Sequence, residues 1–271
     1  MTKSPRPIQP RVWTSLALAS VTLATSPALA NMTPAPITLS MPQARIWLAQ
    51  AEGGEAGEAG AIADASPELA YLGQLYIVQG HMVAALELYK KGMVDEAIGL
   101  SYHPEAEMMD AVRKSLADHG AADISPAMVA FSLAMEEGAD IGQVQAALNA
   151  VQDAIAQAAA PQATNLRLRF DALALIVRAA ANEYAQSTEG GTVGDVFAYH
   201  EAHAFIAVAQ GLAQDMTQID QVNPSAERVL AALKSSEEAF GDMRLPTLEA
   251  QDPAILLAVA AKVELIASSV R

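Results

Sequence analysis

The sequence predicts an all-α fold, an antiparallel helical bundle of two packed lobes that follows a signal peptide and a flexible linker. Three observations favour it. No stretch of the chain shows the sustained apolar–polar alternation of a half-buried strand. Aromatic residues make up only 5% of the chain and alanine is abundant, and small side chains let helices approach closely. Prolines and glycines also recur where helices begin and end.

The first thirty residues have the pattern of a secretory signal peptide. Three basic residues precede an apolar stretch at about 12–23, and Ala28-Leu29-Ala30 is a small-x-small cleavage site. The apolar stretch is shorter than the ~20 residues that a membrane-spanning helix needs. We therefore expect cleavage after Ala30, localisation in the periplasm, and a mature chain that is not inserted in the membrane.

Residues 31–66 are predicted to form a flexible linker, because their second part is the run EGGEAGEAG, which cannot bury apolar surface. The rest of the chain is predicted to form an N-terminal helical lobe at 67–160 and a C-terminal helical lobe at 161–271. The segment AAAPQAT at 158–164 is the expected boundary between them.

Helix starts are predicted wherever a residue that can cap a helix precedes a proline. Ser66, Ser125, Asn223 and Asp252 fit this rule, and His103 is the exception, because it precedes a proline without being a common cap. Glycines at 92, 120, 138, 190 and 241 are predicted to end helices. The predicted helices span 67–91, 94–101, 104–119, 126–137, 140–159, 163–187, 193–215, 224–240 and 253–270.

Charge and composition exclude several classes of function. The chain has a formal net charge of −15, and removal of the three basic residues of the signal leaves 13 basic and 31 acidic groups, or −18. This charge opposes binding to nucleic acids and to anionic lipids, and it suits solubility or the attraction of cations. The absence of cysteine excludes disulfides, thiolate metal sites and thiol catalysis.

His81 is the first candidate ligand. In the predicted helix 67–91 it falls within the apolar arc, opposite the arc that holds Glu87, Lys90 and Lys91. A buried imidazole needs a hydrogen-bond partner or a metal ion. A hydrogen-bonded core histidine is the more common of these two outcomes.

His103 and Glu107 form a second candidate group at the start of the next long helix. A ligand role requires both side chains to converge with His81. A purely structural explanation is also complete, because Pro104 starts the helix and acidic residues favour its positive end.

Further candidates lie on the predicted helices 163–187 and 193–215. Tyr184 lies within an apolar stripe with Glu183 at its edge, and Glu201 lies near the centre of the next apolar face with His200 beside it. A carboxylate facing the core is costly unless it is paired or binds a cation. The structural alternatives for Glu201 are an ion pair with Arg169 or a hydrogen bond from Tyr184.

Recognisable catalytic motifs are missing, which favours a binding protein over an enzyme. The chain contains no G-x-S-x-G, P-loop, G-x-G-x-x-G or EF-hand pattern, and no Glu-x-x-His pair of the di-iron bundle type. His200 and His203 are three residues apart, whereas the zinc-protease motif needs a spacing of four.

Two resemblances add to this reading of the residues. The segment 80–89, then Gly92, then Tyr102-His103-Pro104 with Glu107, resembles a family of exported helical proteins of proteobacteria that implies no established activity. Glu183-Tyr184, followed by Gly190 and Tyr199, is similar to the extracytoplasmic helical part of iron-permease proteins. The imelysin-related iron-uptake lipoproteins carry a Gly-x-His-x-x-Glu motif, from which this chain departs because position 84 is alanine.

The sequence therefore predicts a periplasmic accessory protein that binds iron or another divalent cation, such as zinc or copper, for uptake or homeostasis. Histidine and carboxylate ligands suit these ions. The expected partner is a transport or receptor protein of the cell envelope. The alternatives are an adaptor without a metal, or a haem binder. The predicted metal ligands are His81, His103, Glu107, Glu183, Tyr184, His200 and Glu201.

Overall fold

The computed structural model describes residues 58, 60–189, 191–243 and 248–271, all within one compact unit. The predicted signal peptide and most of the predicted linker lie outside the described residues, as does Gly190. The described residues form packed α-helices with only two short strands, which confirms the predicted all-α fold.

The helix bounds follow the predicted ones closely. The helices are α1 (Pro67–Lys90), α2 (Val94–Ser101), α3 (His103–Glu107), α4 (Met109–Asp118), α5 (Ser125–Glu136), α6 (Ile141–Ala159), α7 (Leu166–Ser187), α8 (Val196–Met216), α9 (Asn223–Leu233) and α10 (Ala254–Ser268). Short 3-10 turns follow α6 and α9, at Ala160–Gln162 and Lys234–Glu238. An antiparallel pair, β1 (Thr188–Glu189) and β2 (Thr192–Val193), joins α7 to α8.

Two predicted helices differ from the structure. The predicted helix 104–119 is divided at Met108, where φ of −134° leaves the helical region and lets Met109 turn into the core. The predicted helix 224–240 ends as an α-helix at Leu233. There the hydroxyl of buried Ser236 donates to the Leu233 carbonyl (2.6 Å), and such side-chain bonds compete with the helical pattern.

The predicted caps are correct in part. Ser66 accepts from the Leu69 N–H (3.3 Å) and Asp252 from the Ala254 N–H (2.9 Å). Ser125 bonds instead to Asp123, and the Asn223 side chain donates to the Thr217 carbonyl. Glycines 92, 120 and 138 follow helices with positive φ, as expected of C-terminal caps.

Helix α1 occupies the centre of the described fold. It packs against α2 and α6 and also against α7 and α8, so it contacts helices from both sides of the predicted lobe boundary. By length and composition α1 is apolar enough to cross a membrane, but 72% of its most apolar window is buried inside the protein. A buried central helix of a packed bundle accounts for that composition.

Candidate metal centre

A glycine sets the close contact between α1 and α8. A Cβ atom at Gly80 would lie only 2.1 Å from Cδ1 of Phe205, so only glycine leaves room for that ring. The Phe205 ring also contacts His81 edge-on, with ring centroids 5.8 Å apart. The small residue at 80 therefore brings His81 of α1 towards the inner face of α8, which carries Glu201.

Three donors from three helices meet at this contact. His81 Nε2 lies 3.3 Å from Glu201 Oε1, and His103 Nδ1 of α3 lies 3.6 Å from the same oxygen. Ligand atoms of the three residues all lie within 4.8 Å of one another. Donors bound to one ion at about 2.0–2.2 Å lie roughly 3–3.5 Å apart, so the two contacts to Glu201 have nearly the spacing of a coordination shell.

Two further carboxylates extend the cluster. Glu58 Oε1 lies 3.5 Å from His81 Nε2, and Glu107 Oε1 lies 3.9 Å from His103 Nδ1. The side chains of Glu58, His103 and Glu107 are 11%, 16% and 15% exposed, whereas those of His81 and Glu201 are 1% and 5% exposed. His81 and Glu201 are therefore the most deeply buried members of the cluster, and the other three side chains lie nearer the surface.

The hydrogen bond of His81 to the main chain determines which ring nitrogen faces the cluster. Nδ1 lies 3.0 Å from the Ile77 carbonyl, and because a carbonyl only accepts, Nδ1 carries a proton. Nε2 then faces the carboxyl oxygens of Glu58 and Glu201, and a metal ion between them would have nitrogen and oxygen donors together. Metal-binding histidines commonly fix their other nitrogen by such a bond.

Glu201 is kept ionised in spite of its burial. Burial by itself raises the pKa of a carboxyl, but the charges of His81 and His103 outweigh burial and hold the pKa of Glu201 below its usual value. The core of the cluster is thus a carboxylate beside two imidazoles, which are donor types that bind transition-metal ions.

Glu183 of α7 is a buried carboxyl without a hydrogen-bond partner on either oxygen. Burial raises its pKa to about 10, and the nearby charges of Glu201 and Glu58 contribute to the increase. Glu183 therefore lies next to the cluster, and without a bound cation it is protonated at neutral pH.

Tyr184 does not face this cluster. Its hydroxyl donates to the Ala239 carbonyl and accepts from the Gln251 N–H (2.8 Å), so the alternative of a Tyr184–Glu201 hydrogen bond is wrong. The alternative ion pair of Glu201 with Arg169 is wrong as well. Glu201 pairs with the two histidines, and Arg169 lines a separate cleft of about 520 Å³.

His200 lies in a second polar group, together with Glu87 and His203. Its Nδ1 is 3.8 Å from Glu87 Oε2, and neither ring nitrogen has a hydrogen-bond partner. His203 Nδ1 lies 3.0 Å from that Glu87 oxygen. Burial raises the pKa of Glu87, but the two histidines outweigh burial and lower it to about 2.

The structure thus brings together four of the seven predicted ligands, His81, His103, Glu107 and Glu201, and the charges of Glu201 and Glu107 reach Glu183. Tyr184 and His200 lie elsewhere. Sequence reasoning missed Glu58, which belongs to the segment predicted as a flexible linker, because nothing in a Gly/Glu run distinguishes it from Glu52 or Glu55. It also missed the partner of His200, since Glu87 is typical of a solvated helix face.

Comparison of the chain with protein-family models, with curated proteins and with solved structures finds no match. The geometry of the cluster is therefore the basis for inferring a function.

Proposed function

We propose that this protein binds a first-row transition-metal ion at the cluster of His81, His103 and Glu201, and that it supports uptake or homeostasis of iron or a similar divalent cation. The periplasm is the proposed location, on the strength of the signal-like N-terminus. A transport or receptor protein of the envelope is the proposed recipient of the ion.

The observation that carries the proposal is the convergence of three donors from three helices on one point of the interior. His81 and Glu201 are 1% and 4% exposed, and their facing atoms are 3.3 Å apart. Placing such groups in a core is costly unless they are compensated. A metal ion compensates all of them together, and a mixed imidazole and carboxylate shell suits iron, manganese or zinc.

The two alternatives have less support. An adaptor without a metal calls for the buried polar groups to satisfy one another, yet Glu201 Oε1 and both oxygens of Glu183 lack a hydrogen-bond partner. Haem binding calls for a largely apolar pocket beside the axial ligand, whereas His81 and His103 are surrounded by carboxylates. The carboxylates favour a bare cation.

Calorimetric titration of the metal-free protein with Fe²⁺ (without oxygen), Mn²⁺, Zn²⁺ and Cu²⁺ tests the proposal. We expect at least one ion to bind. The His81→Ala and Glu201→Gln variants are each expected to bind it about tenfold or more weakly, because each removes a donor from the shell.

His119→Gln is the matched control. His119 is also a partly buried histidine, but its Nδ1 bonds to the Ser115 carbonyl (2.8 Å) and its ring stacks on Tyr71, away from the cluster. The metal affinity of the His119→Gln variant should equal that of the unmodified protein. Circular dichroism checks that each variant is folded. Absence of binding for all four ions, or equal affinity in folded Glu201→Gln, would overturn the proposal.

A further inference from the structure

The cluster has more acidic groups than one divalent ion requires. Glu58, Glu107 and Glu201 each lie within 3.9 Å of an imidazole nitrogen, and buried Glu183, a fourth glutamate, is close enough to respond to the charges of these three. One divalent ion leaves two negative charges uncompensated if all four glutamates are ionised. Two divalent ions balance the four carboxylates, and balance matters because unpaired charge is costly in a buried site.

The distances divide the cluster into two similar halves. His81 Nε2 has its own carboxylate, Glu58 Oε1, at 3.5 Å, and His103 Nδ1 has its own, Glu107 Oε1, at 3.9 Å. Both imidazoles share Glu201 Oε1, at 3.3 and 3.6 Å. The two rings are separate, with centroids 6.3 Å apart. Each half therefore offers one nitrogen and one carboxylate, and Glu201 lies between the halves.

Glu183 is the independent observation that points to a ligand. It is fully buried, and both of its oxygens lack a hydrogen-bond partner. The connection between α7 and α8 holds it near Glu201, since the Gly194 and Asp195 N–H groups both donate to the Ser187 carbonyl (2.8 and 3.2 Å). Glu183 lies about one helical turn before Ser187 on α7, and Glu201 lies within two helical turns after Asp195 on α8.

We infer that the cluster binds two divalent ions of the iron or manganese class, with Glu201 as the bridge, Glu183 as the additional carboxylate near it, Glu58 and His81 on one ion and His103 and Glu107 on the other. This inference rests on the proposed function and adds the number and class of ions. Four glutamates and two histidines are also the ligand set of the carboxylate-bridged di-iron and di-manganese bundles, which assemble it from a different motif. The carboxylate-rich shell suits these ions better than copper.

Two measurements on the purified chain loaded with Mn²⁺ test the number of ions. Native mass spectrometry is expected to show two Mn²⁺ per chain at saturation. Electron paramagnetic resonance is expected to show the broad signal of an exchange-coupled pair in place of the six-line signal of isolated Mn²⁺. A single ion with a six-line signal would overturn this inference and leave the proposed function intact. No bound ion would overturn both.

The Glu58→Gln variant tests one half of the site. It is expected to bind the second Mn²⁺ ion about tenfold or more weakly and to restore the six-line signal of isolated Mn²⁺. Glu105→Gln is the matched control, because Glu105 belongs to α3 but is half exposed and pairs with Arg113. It should keep two ions. If the Glu58→Gln variant binds two Mn²⁺ ions as tightly as the unmodified protein does, Glu58 is not a metal ligand.

Discussion

At the scale of single residues, the position of the His81 imidazole depends on the residues packed around it. The imidazole of His81 lies between the Ile77 carbonyl, which holds one nitrogen, and Glu201, which faces the other. The Phe205 ring packs beside it, and that ring has room only because residue 80 is glycine. The position of the key histidine thus depends on a neighbouring residue that has no side chain.

Gly80→Ala tests this dependence. The added methyl group would lie 2.1 Å from a fully buried aromatic ring, so we expect a loss of about 1–3 kcal/mol in unfolding free energy, typical of overpacked cores. Metal affinity should fall as well, because the displaced ring contacts His81. Urea unfolding and calorimetric titration measure the two effects.

Gly99→Ala is the control for this substitution. Gly99 is also helical, but a methyl group there meets nothing within 4 Å, so stability should stay equal or rise by up to ~1 kcal/mol. Adding Phe205→Leu to Gly80→Ala should recover part of the lost stability. If Gly80→Ala is as stable as the unmodified protein, the close contact does not constrain the fold.

At the scale of the elements, the ligands come from helices that local signals start at defined residues. Asp195 accepts from the N–H groups of Phe197 and Ala198 and begins α8 six residues before Glu201. Asp140 and Gln143 form a reciprocal capping box that begins α6, a helix without a ligand. Both N-caps are aspartates, but only Asp195 begins a helix that contributes a ligand to the metal centre.

Asp140→Ala should therefore reduce stability without reducing metal binding. Loss of a cap of this kind costs about 0.5–2 kcal/mol, and α6 contributes no donor to the cluster. Chemical denaturation and titration with Mn²⁺ separate the two quantities. Asp153→Ala, an exposed aspartate inside the same helix, is the control and should change stability by less than ~0.5 kcal/mol. A tenfold loss of Mn²⁺ affinity in Asp140→Ala would contradict this separation.

At the scale of the whole molecule, bound metal should stabilise the fold, because ligands from α1, α3 and α8 are held together only in the folded state. Free metal at 100 times its dissociation constant raises the free energy of unfolding by about 2.7 kcal/mol for one site. For a chain of this size that corresponds to a rise in Tm of roughly 5–10 °C.

Differential scanning calorimetry with and without Mn²⁺ measures this shift, and addition of EDTA should reverse it. The Glu201→Gln variant serves as the control, and its Tm should respond much less to Mn²⁺. An equal rise in Tm for both proteins would mean that the stabilising ion binds outside the cluster.

The fold class and most helix bounds were predictable because they depend on local patterns. Helical periodicity placed His81 and Glu201 on inner faces, and both are buried. The break at Met108 was not predictable, since it reflects the packing of Met109 into the core rather than a proline or glycine signal.

The sequence by itself thus determined that the chain is helical and that several polar side chains point inward. Only the tertiary structure decided which of them meet. It joined Glu201 to His81 and His103, added Glu58, and directed Tyr184 to main-chain groups near α10. The physical reason is that periodicity defines the direction of a side chain about its own helix axis, whereas distances between helices depend on their crossing and register.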